Sequence, residues 1–235
     1  MNDEQNHLDR IAGDSRYAAG ANTSTVLYSF EVFRRHIRGT TLLEMGPAEG
    51  VMTAQLVKLG LDMTVVEGSQ RFCTELAARH PQLSVHQSLF ETFEPPHLFD
   101  NIVLGHVLEH VQDPVAILQK VRGWLTEGGR VLAAVPNSRS VHRQAAVIMG
   151  LLDFEEQLNE ADHHHGHRRV YNPETFRRDF QAAGLKIEIF GGYWLKPVSN
   201  GQIEADWTPE MLDAFMRLGE RYPDIAGEIY VVAGK

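Results

Sequence analysis

The segment Thr41-Leu42-Leu43-Glu44-Met45-Gly46-Pro47-Ala48-Glu49-Gly50 carries the clearest chemical signal in the chain. An apolar run with one acid delivers the backbone to a glycine-rich turn, and a helix is expected from about Val51. Glycine at 46 and 50 lets the backbone come close to a ligand that a Cβ would hold away. A helix start adds free N–H groups and a positive dipole end, which suit a phosphate or a carboxylate. A tight turn with no ligand uses the same residues, so the loop alone leaves the question open. The dinucleotide fingerprint wants a third glycine five residues after the first. That place is Val51, and the second glycine is replaced by Ala48, leaving the spacing G-x-A-x-G. Twenty-one residues beyond Gly46, Glu67 closes the apolar run Val65-Val66 and is followed by Gly68.

Histidines form the second set. The chain has 12, and five lie between positions 142 and 167. His106, His110, His142, His163, His164, His165 and His167 are candidates for proton transfer near neutral pH. His106, Glu109 and His110 stand at i, i+3 and i+4, which shares one helical face if the helix has begun there. With His167 they would make four ligands of the imidazole and carboxylate type that a divalent metal takes. His163 and His164 read by default as part of a solvated loop.

These residues need a frame. Short apolar runs at Thr41–Met45, Met63–Val66, Leu83–His86, Asn101–Leu104 and Arg130–Val135 alternate with helical stretches at about 51–59, 69–79, 113–125 and 173–183. Alternation of this kind predicts βαβ units and a parallel sheet. Upstream, Thr25–Arg38 places Val26, Phe30, Phe33 and Ile37 at helical spacing. Downstream, Leu185–Phe190 and Glu228–Ala233 read as strands flanking a helix at Pro209–Arg221. Residues 138–170 read as irregular and polar, with one apolar patch at Ala145–Leu152.

Composition narrows the classes. At 235 residues with 43% hydrophobic and 23% charged, the chain suits one α/β domain with a small appended cap. The single cysteine, Cys73, excludes an intrachain disulfide and a cysteine metal cluster, and fits a cytoplasmic location. The polar Met1–Arg10 is not a secretory signal, and no apolar stretch reaches the ~20 residues a bilayer span needs. A net charge of −9 argues against nucleic acid as a partner. A homodimer is compatible with all of this.

A family resemblance rests on three further segments. Phe99-Asp100-Asn101-Ile102-Val103-Leu104-Gly105-His106-Val107-Leu108-Glu109-His110-Val111, followed by Asp113-Pro114, resembles the fourth-strand segment of the ubiquinone-biosynthesis-type methyltransferases. Trp124-Leu125-Thr126-Glu127-Gly128-Gly129-Arg130 resembles their turn before strand five, with Glu127 where proline is usual. Val135-Pro136-Asn137 resembles that strand's end. The glycine loop is similar to motif I of class I S-adenosylmethionine-dependent methyltransferases, from which Ala48 departs. The matches run in family order over roughly residues 40–180.

The resemblance implies an α/β fold, a Rossmann-like seven-stranded, mostly parallel sheet. Residues 1–38 would form an N-terminal helical cap and 39–235 the cofactor-binding domain, with 138–170 and 191–207 as insertions around the acceptor. Gly46, Ala48 and Gly50 would line the methionine portion of S-adenosyl-L-methionine, with Glu44 organising the loop. Glu67, beside Gly68, would hold the ribose; Ser88, Leu89 and Phe90 would close on the adenine. Gly105 and His106 would border the transferring methyl, and Tyr17 would come from the cap. Gly166-His167-Arg168-Arg169-Val170-Tyr171-Asn172-Pro173 is similar to a motif that relatives carry beside the acceptor, making His167, with His106, the candidate catalytic residue. Gly192-Tyr193-Trp194-Leu195-Lys196-Pro197 offers aromatic surface and a cation.

The expected reaction is methyl transfer to a small-molecule acceptor, at a hydroxyl of a sugar, nucleotide sugar or natural-product scaffold. Arg168, Arg169 and Lys196 would suit an anionic acceptor, or would pair with the protein's own acids. The alternatives are a metal-dependent RNA ribose 2′-O-methyltransferase, whose ligands His106, Glu109, His110 and His167 would match, and a cofactor-binding regulatory subunit without catalysis. An NAD-dependent reductase is disfavoured by Val51.

Overall fold

A computed structural model describes Gly13 and residues 18–235. Seven strands form one sheet: β1 (Thr41–Met45), β2 (Asp62–Glu67), β3 (Ser84–Gln87), β4 (Phe99–Gly105), β5 (Leu125–Pro136), β6 (Lys186–Tyr193) and β7 (Glu228–Gly234). Their spatial order is β3-β2-β1-β4-β5-β7-β6, with β7 antiparallel to both neighbours and the other pairings parallel. The expected seven-stranded, mostly parallel sheet is the one observed. The strand order reverses between β1 and β4, and the crevice outside the carboxyl ends of these two strands is where doubly wound sheets bind ligands.

Alternate residues of the central strands enter two separate cores, one on each face. Leu43, Met45, Ile102, Leu104, Val131 and Ala133 pack on one side. There they meet α4 (Pro114–Trp124) and α7 (Pro173–Ala182) through Ile117, Leu118, Val121, Phe176 and Phe180. Leu42, Val65, Val103, Leu132 and Val232 point the other way. They are covered by Phe30, Val32 and Phe33 of α1 (Gly20–Phe33), Leu56 of α2 (Thr53–Leu56), Leu76 of α3 (Gln70–Arg79) and Met216 of α9 (Pro209–Gly219). A period of two buried on both faces is why the sequence shows these strands as continuous apolar runs.

The entrance to β1 is pinned to β4 by side chains. Asp100 Oδ2 accepts the N–H groups of Thr40 and Thr41 at 2.8 and 3.2 Å, and the buried Asn101 accepts Arg38 N–H at 2.9 Å while donating to Thr41 O at 3.0 Å. These bonds set the register of the two strands whose ends flank the crevice.

Several elements differ from the sequence reading. The helix expected at 51–59 is a single α-turn, α2, continued as a 3₁₀ turn over Val57–Leu59 and stopped at Gly60, which has φ 71°. Three of its N–H groups are already used, Ala54 donating to Gly50 O at 3.0 Å and Gln55 and Leu56 to Met52 O at 2.9 Å. No long helix therefore presents a dipole end to the glycine loop. The N-terminal helix begins earlier than expected and ends at Phe33.

Within 138–170 there are two helices, α5 (Val141–Ile148) and α6 (Glu160–His165). A capping box between Asn159 and Asp162 starts α6. The apolar patch of this region stays outside the core, with Ile148 87% and Met149 70% exposed. In the 191–207 stretch β6 continues to Tyr193, because its pairing with β7 runs on through Gly192↔Ile229 and Tyr193↔Glu228, and α8 (Asn200–Asp206) follows. The two glycines hide that continuation from any apolar pattern.

Helix α9 ends against the exit of β6, where Trp194 N–H donates to Met216 O at 2.9 Å and Leu195 N–H to Phe215 O at 2.8 Å. A Cβ on Gly219 would overlap the backbone of Tyr193, Trp194 and Leu195. Rigid backbone cannot yield as a side-chain tip does. Gly219→Ala is therefore expected to lower unfolding free energy in urea by about 3 kcal/mol. Gly201→Ala, with nothing near its Cβ, should leave stability unchanged or slightly higher.

Candidate functional site

Past the ends of β1 and β4 lies a cavity lined by Glu44, Gly46, Ala48, Glu67, Gly68, Ser88, Leu89, Phe90, Gly105 and His106, all singled out from sequence. Gly50 does not line it. Its φ is 78°, and a Cβ there would meet Leu76 Cδ2 at 2.5 Å, so this glycine serves packing of the loop against α3. Tyr17 lies outside the described residues.

The loop after β1 turns sharply. Gly46 has φ 65° and donates its N–H to Val66 O at 2.9 Å, while a Cβ on it would stand 3.1 Å from Val107 and 3.2 Å from the Phe90 ring. Ala48, the departure from the glycine pattern, keeps left-handed backbone with φ 48°. Alanine there carries a strain of roughly 1–2 kcal/mol that glycine would not. The position demands the conformation even though the residue type has changed.

Two acids are buried in this half. Glu67, 6% exposed, accepts N–H from Ser69 at 2.8 Å and from Ala48 at 3.3 Å, tying the end of β2 to the loop. Burial raises its pKa, against those backbone donors. Glu44 accepts the Thr53 hydroxyl at 2.7 Å, and burial, opposed by that bond, pushes its carboxyl up to about 8.

The other half is a polar knot around His106. Its N–H still belongs to the sheet, donating to Ala134 O at 2.9 Å, yet its φ is 59°. Residues 106–110 are therefore a turn, and α4 begins only at Pro114. His106 does not share a helical face with Glu109 and His110. Its Nε2 faces Ser29 Oγ at 3.2 Å and Tyr193 OH at 3.4 Å, and those two hydroxyls are 2.5 Å apart. Its Nδ1 lies 3.7 Å from both Glu109 Oε1 and Glu228 Oε2. Burial would hold the His106 pKa down, but Glu109 and the charge of Glu228 outweigh it and leave it raised. Glu228 is itself pushed up to about 7 by burial.

Without His106, the metal-type set contracts to Glu109, His110 and His167, whose ligand atoms lie within 4.8 Å of one another and could hold a metal ion. Glu109 is 1% exposed, and among the described residues neither of its carboxylate oxygens has a hydrogen-bond partner. His110 lines the cavity, and burial lowers its pKa to about 4. His167 stands behind it, ring centroids 4.8 Å apart, and is not on the cavity wall. His163 and His164 are exposed, as expected, but they lie in helix α6 rather than in a loop, since the Asn159–Asp162 capping box starts a helix there.

The arginines expected near the acceptor do other work. Arg169 donates to the carbonyls of Leu108, Val111 and Gln112, and Arg168 to that of His110 at 2.7 Å. Both clamp the turn between β4 and α4. Among the described residues Lys196 is a cation beside the knot, its Nζ 5.1 Å above the Trp194 ring and its pKa lowered by burial to about 8.

Sequence reading missed several residues here. Val26 of α1 lines the cavity, as do Met52 and Phe72. Each carries an ordinary core signal, and only its place at a strand end makes it part of a site. Ser29, Glu228 and Asp162 sit inside regular elements and carry no motif. Ser29 and Glu228 take their roles from His106, 77 and 122 residues away, and a single sequence does not display such contacts.

Residues 16–188 match the sequence family described as a methyltransferase domain. The ubiquinone biosynthesis O-methyltransferase of Xanthomonas euvesicatoria pv. vesicatoria (strain 85-10) is 24% identical over 174 residues, 71% of each chain. Among solved structures, the CcbJ methyltransferase from Streptomyces caelestis superposes with TM-score 0.66 at 15% identity, covering 99% of both chains. The glycopeptide N-methyltransferase MtfA complexed with S-adenosyl-L-methionine does so with TM-score 0.58 at 14% identity, over 90% of this chain and 86% of that one. No helix among the described residues is long and apolar enough to cross a membrane. With the family match spanning most of the chain and the sheet order agreeing with it, the protein belongs to the methyltransferase-domain family and is a class I S-adenosylmethionine-dependent methyltransferase resembling the ubiquinone-biosynthesis type.

Proposed function

We propose that this enzyme methylates a hydroxyl of a small molecule, a sugar, nucleotide sugar or natural-product scaffold. The observation that carries this reading is the junction of two unlike surfaces at the ends of β1 and β4: a glycine-walled cradle and a buried histidine–carboxylate knot. The cradle suits the cofactor. Side chains at 46 and 105 would fill it, since a Cβ on Gly105 would stand 2.9 Å from Met52 Cε.

In this reading Gly46 and Ala48 hold the methionine portion, with Glu44 beneath them. Glu67 takes the ribose diol, its two oxygens retaining lone pairs beyond those used by Ser69 and Ala48. Ser88, Leu89 and Phe90 close on the adenine. S-adenosyl-L-methionine, when bound, supplies an electrophilic methyl group, so the chain's task is alignment and proton removal. His106 borders the methyl position, while Ser29, Tyr193, Glu109 and Glu228 fix its ring. His167, reached through His110, takes the hydroxyl proton. Residues 138–170 and 191–207 wall the acceptor, which fits the placing of Lys196 and Tyr193 beside the knot.

A second reading, a metal-dependent ribose 2′-O-methyltransferase acting on RNA, is favoured by the convergence of Glu109, His110 and His167. The net charge of −9 weighs against a phosphate-rich partner.

Calorimetric titration tests the cofactor half. S-adenosylhomocysteine should bind and NADH should not, and Glu67→Ala should weaken the former at least ~10-fold, about 1.4 kcal/mol. Unchanged affinity in the variant would remove Glu67 from the ribose role.

The burial of Glu44 gives a pH test. Its folded pKa, about 8, lies above its unfolded value near 4.5. At low pH both states are protonated and nothing is lost. As pH rises from about 4.5 towards 8 the unfolded chain ionises while the folded carboxyl stays neutral, so stability falls at about 1.4 kcal/mol per pH unit. Glu44→Gln should escape this loss, gaining steadily on the wild type between pH 5 and 8 in urea unfolding.

For the metal reading, thermal unfolding with added Zn²⁺ or Mn²⁺ is decisive. A rise in Tm that disappears in His110→Ala supports the site, and no rise with either ion dismisses it.

A further inference from the structure

Behind His167 lies a buried ion pair that neither the motifs nor the proposed chemistry explains. Asp162, in the first turn of α6, receives His167 Nδ1 on Oδ1 at 3.0 Å. Its Oδ2 accepts Arg143 at 3.1 Å and Asn159 N–H at 3.0 Å. All three side chains are under a tenth exposed, at 6, 9 and 8% for Arg143, Asp162 and His167. Arg143 reaches Asp162 from α5 and is held in place itself, donating through Nε to Glu155 O at 2.8 Å and through a terminal nitrogen to Gln157 O.

This arrangement dictates where the His167 proton sits. A carboxylate facing a guanidinium and a backbone N–H is ionised and can only accept. The ring nitrogen that meets it must then carry hydrogen. His110 is arranged alike, with Nδ1 3.3 Å from the Gly166 carbonyl, another group that only accepts. Arg143, on α5, and Asp162, on α6, come from the region that reads as irregular in sequence. The ion pair thus gives that insertion a task beyond walling the acceptor.

We infer that Asp162, backed by Arg143, is a positioning residue that fixes His167 as the Nδ1–H tautomer and leaves the Nε2 lone pair as the one available for proton transfer. The inference rests on the methyl-transfer reading. In that reaction the acceptor O–H bond breaks, its proton reaches Nε2 by way of His110, which stands between His167 and the cavity, the oxygen gains the methyl, and the methyl–sulfur electron pair stays on sulfur. Asp162 remains a carboxylate throughout and faces the imidazolium that forms. Orienting a ring through its far nitrogen is the general use of a carboxylate behind a working histidine.

The test needs no acceptor. Protein labelled with ¹⁵N-histidine, recorded near pH 7.5 by long-range ¹H–¹⁵N correlation, reports which ring nitrogen bears hydrogen, and His167→Gln assigns the signal by its loss. The wild type should show His167 with Nδ1 protonated and Nε2 bare. Asp162→Asn, which keeps shape but loses the charge, and Asp162→Ala should each reduce the population of that tautomer. An Nε2–H or evenly mixed ring in the wild type overturns the inference, as does an unchanged tautomer in folded Asp162→Ala. If the alanine variant does not fold, the wild-type spectrum decides alone. S-adenosylhomocysteine binding, measured in the same samples, keeps the two claims apart: its absence in the wild type fails the methyltransferase reading, whereas a wrong tautomer with binding intact fails only the role of Asp162.

Discussion

The architecture of the site depends on how the chain leaves the carboxyl edge of the sheet. Ala48, His106 and Trp194 are the non-glycine residues with positive φ among those described, and they follow β1, β4 and β6 at that same edge. Left-handed backbone costs an L-residue roughly 1–2 kcal/mol. Packing at each exit makes the reversal compulsory. Ala48 is held by Glu67, His106 by its sheet bond to Ala134, and Trp194 by bonds to Met216 and Gly227. Strain of this kind persists only where the surroundings over-determine it, and it concentrates at sites that bind or react.

The consequence of the reversal at His106 is a histidine turned back on the sheet's end. A helical continuation of β4 would have lined its ring up on one face with Glu109 and His110. The reversal keeps Nδ1 3.7 Å from Glu109 and turns the ring to Ser29 from α1, Tyr193 from β6 and Glu228 from β7. Four elements far apart in sequence then share one buried polar cluster. Removing any member would strand another without a partner, which costs more than the bond itself contributes. The knot thus holds α1 to the sheet at the point where methyl transfer is proposed to take place.

The fold was largely legible in the sequence because strands buried on both faces are apolar throughout, and the order of strands and helices follows from that. The cradle was legible for a related reason: Gly46, Glu67 and Gly105 mark strand ends, and strand ends are where this topology places ligands. The failures have physical causes too. The i, i+3, i+4 spacing of His106, Glu109 and His110 suggested a helix face, but φ at a single residue decided otherwise. Gly50 fitted the binding pattern and serves packing. Helices α5 and α6 escaped notice because their cohesion comes from Arg143, Asp162 and a capping box rather than from an apolar stripe.

Charge allocation in this half of the molecule follows from the same turn. The reversal after β4 leaves the carbonyls of residues 108–112 pointing away from any helix, and buried carbonyls need donors. Arg168 and Arg169 supply them, so the cations that the sequence sets beside the acceptor are engaged with backbone. Among the described residues the knot presents carboxylate, imidazole and hydroxyl groups beside a lysine whose burial weakens its hold on a proton. A surface of that composition recognises hydroxyls by accepting and donating hydrogen bonds more readily than it neutralises a multiply charged anion. Among the acceptors proposed, the polyhydroxylated ones therefore suit the site better than phosphorylated ones.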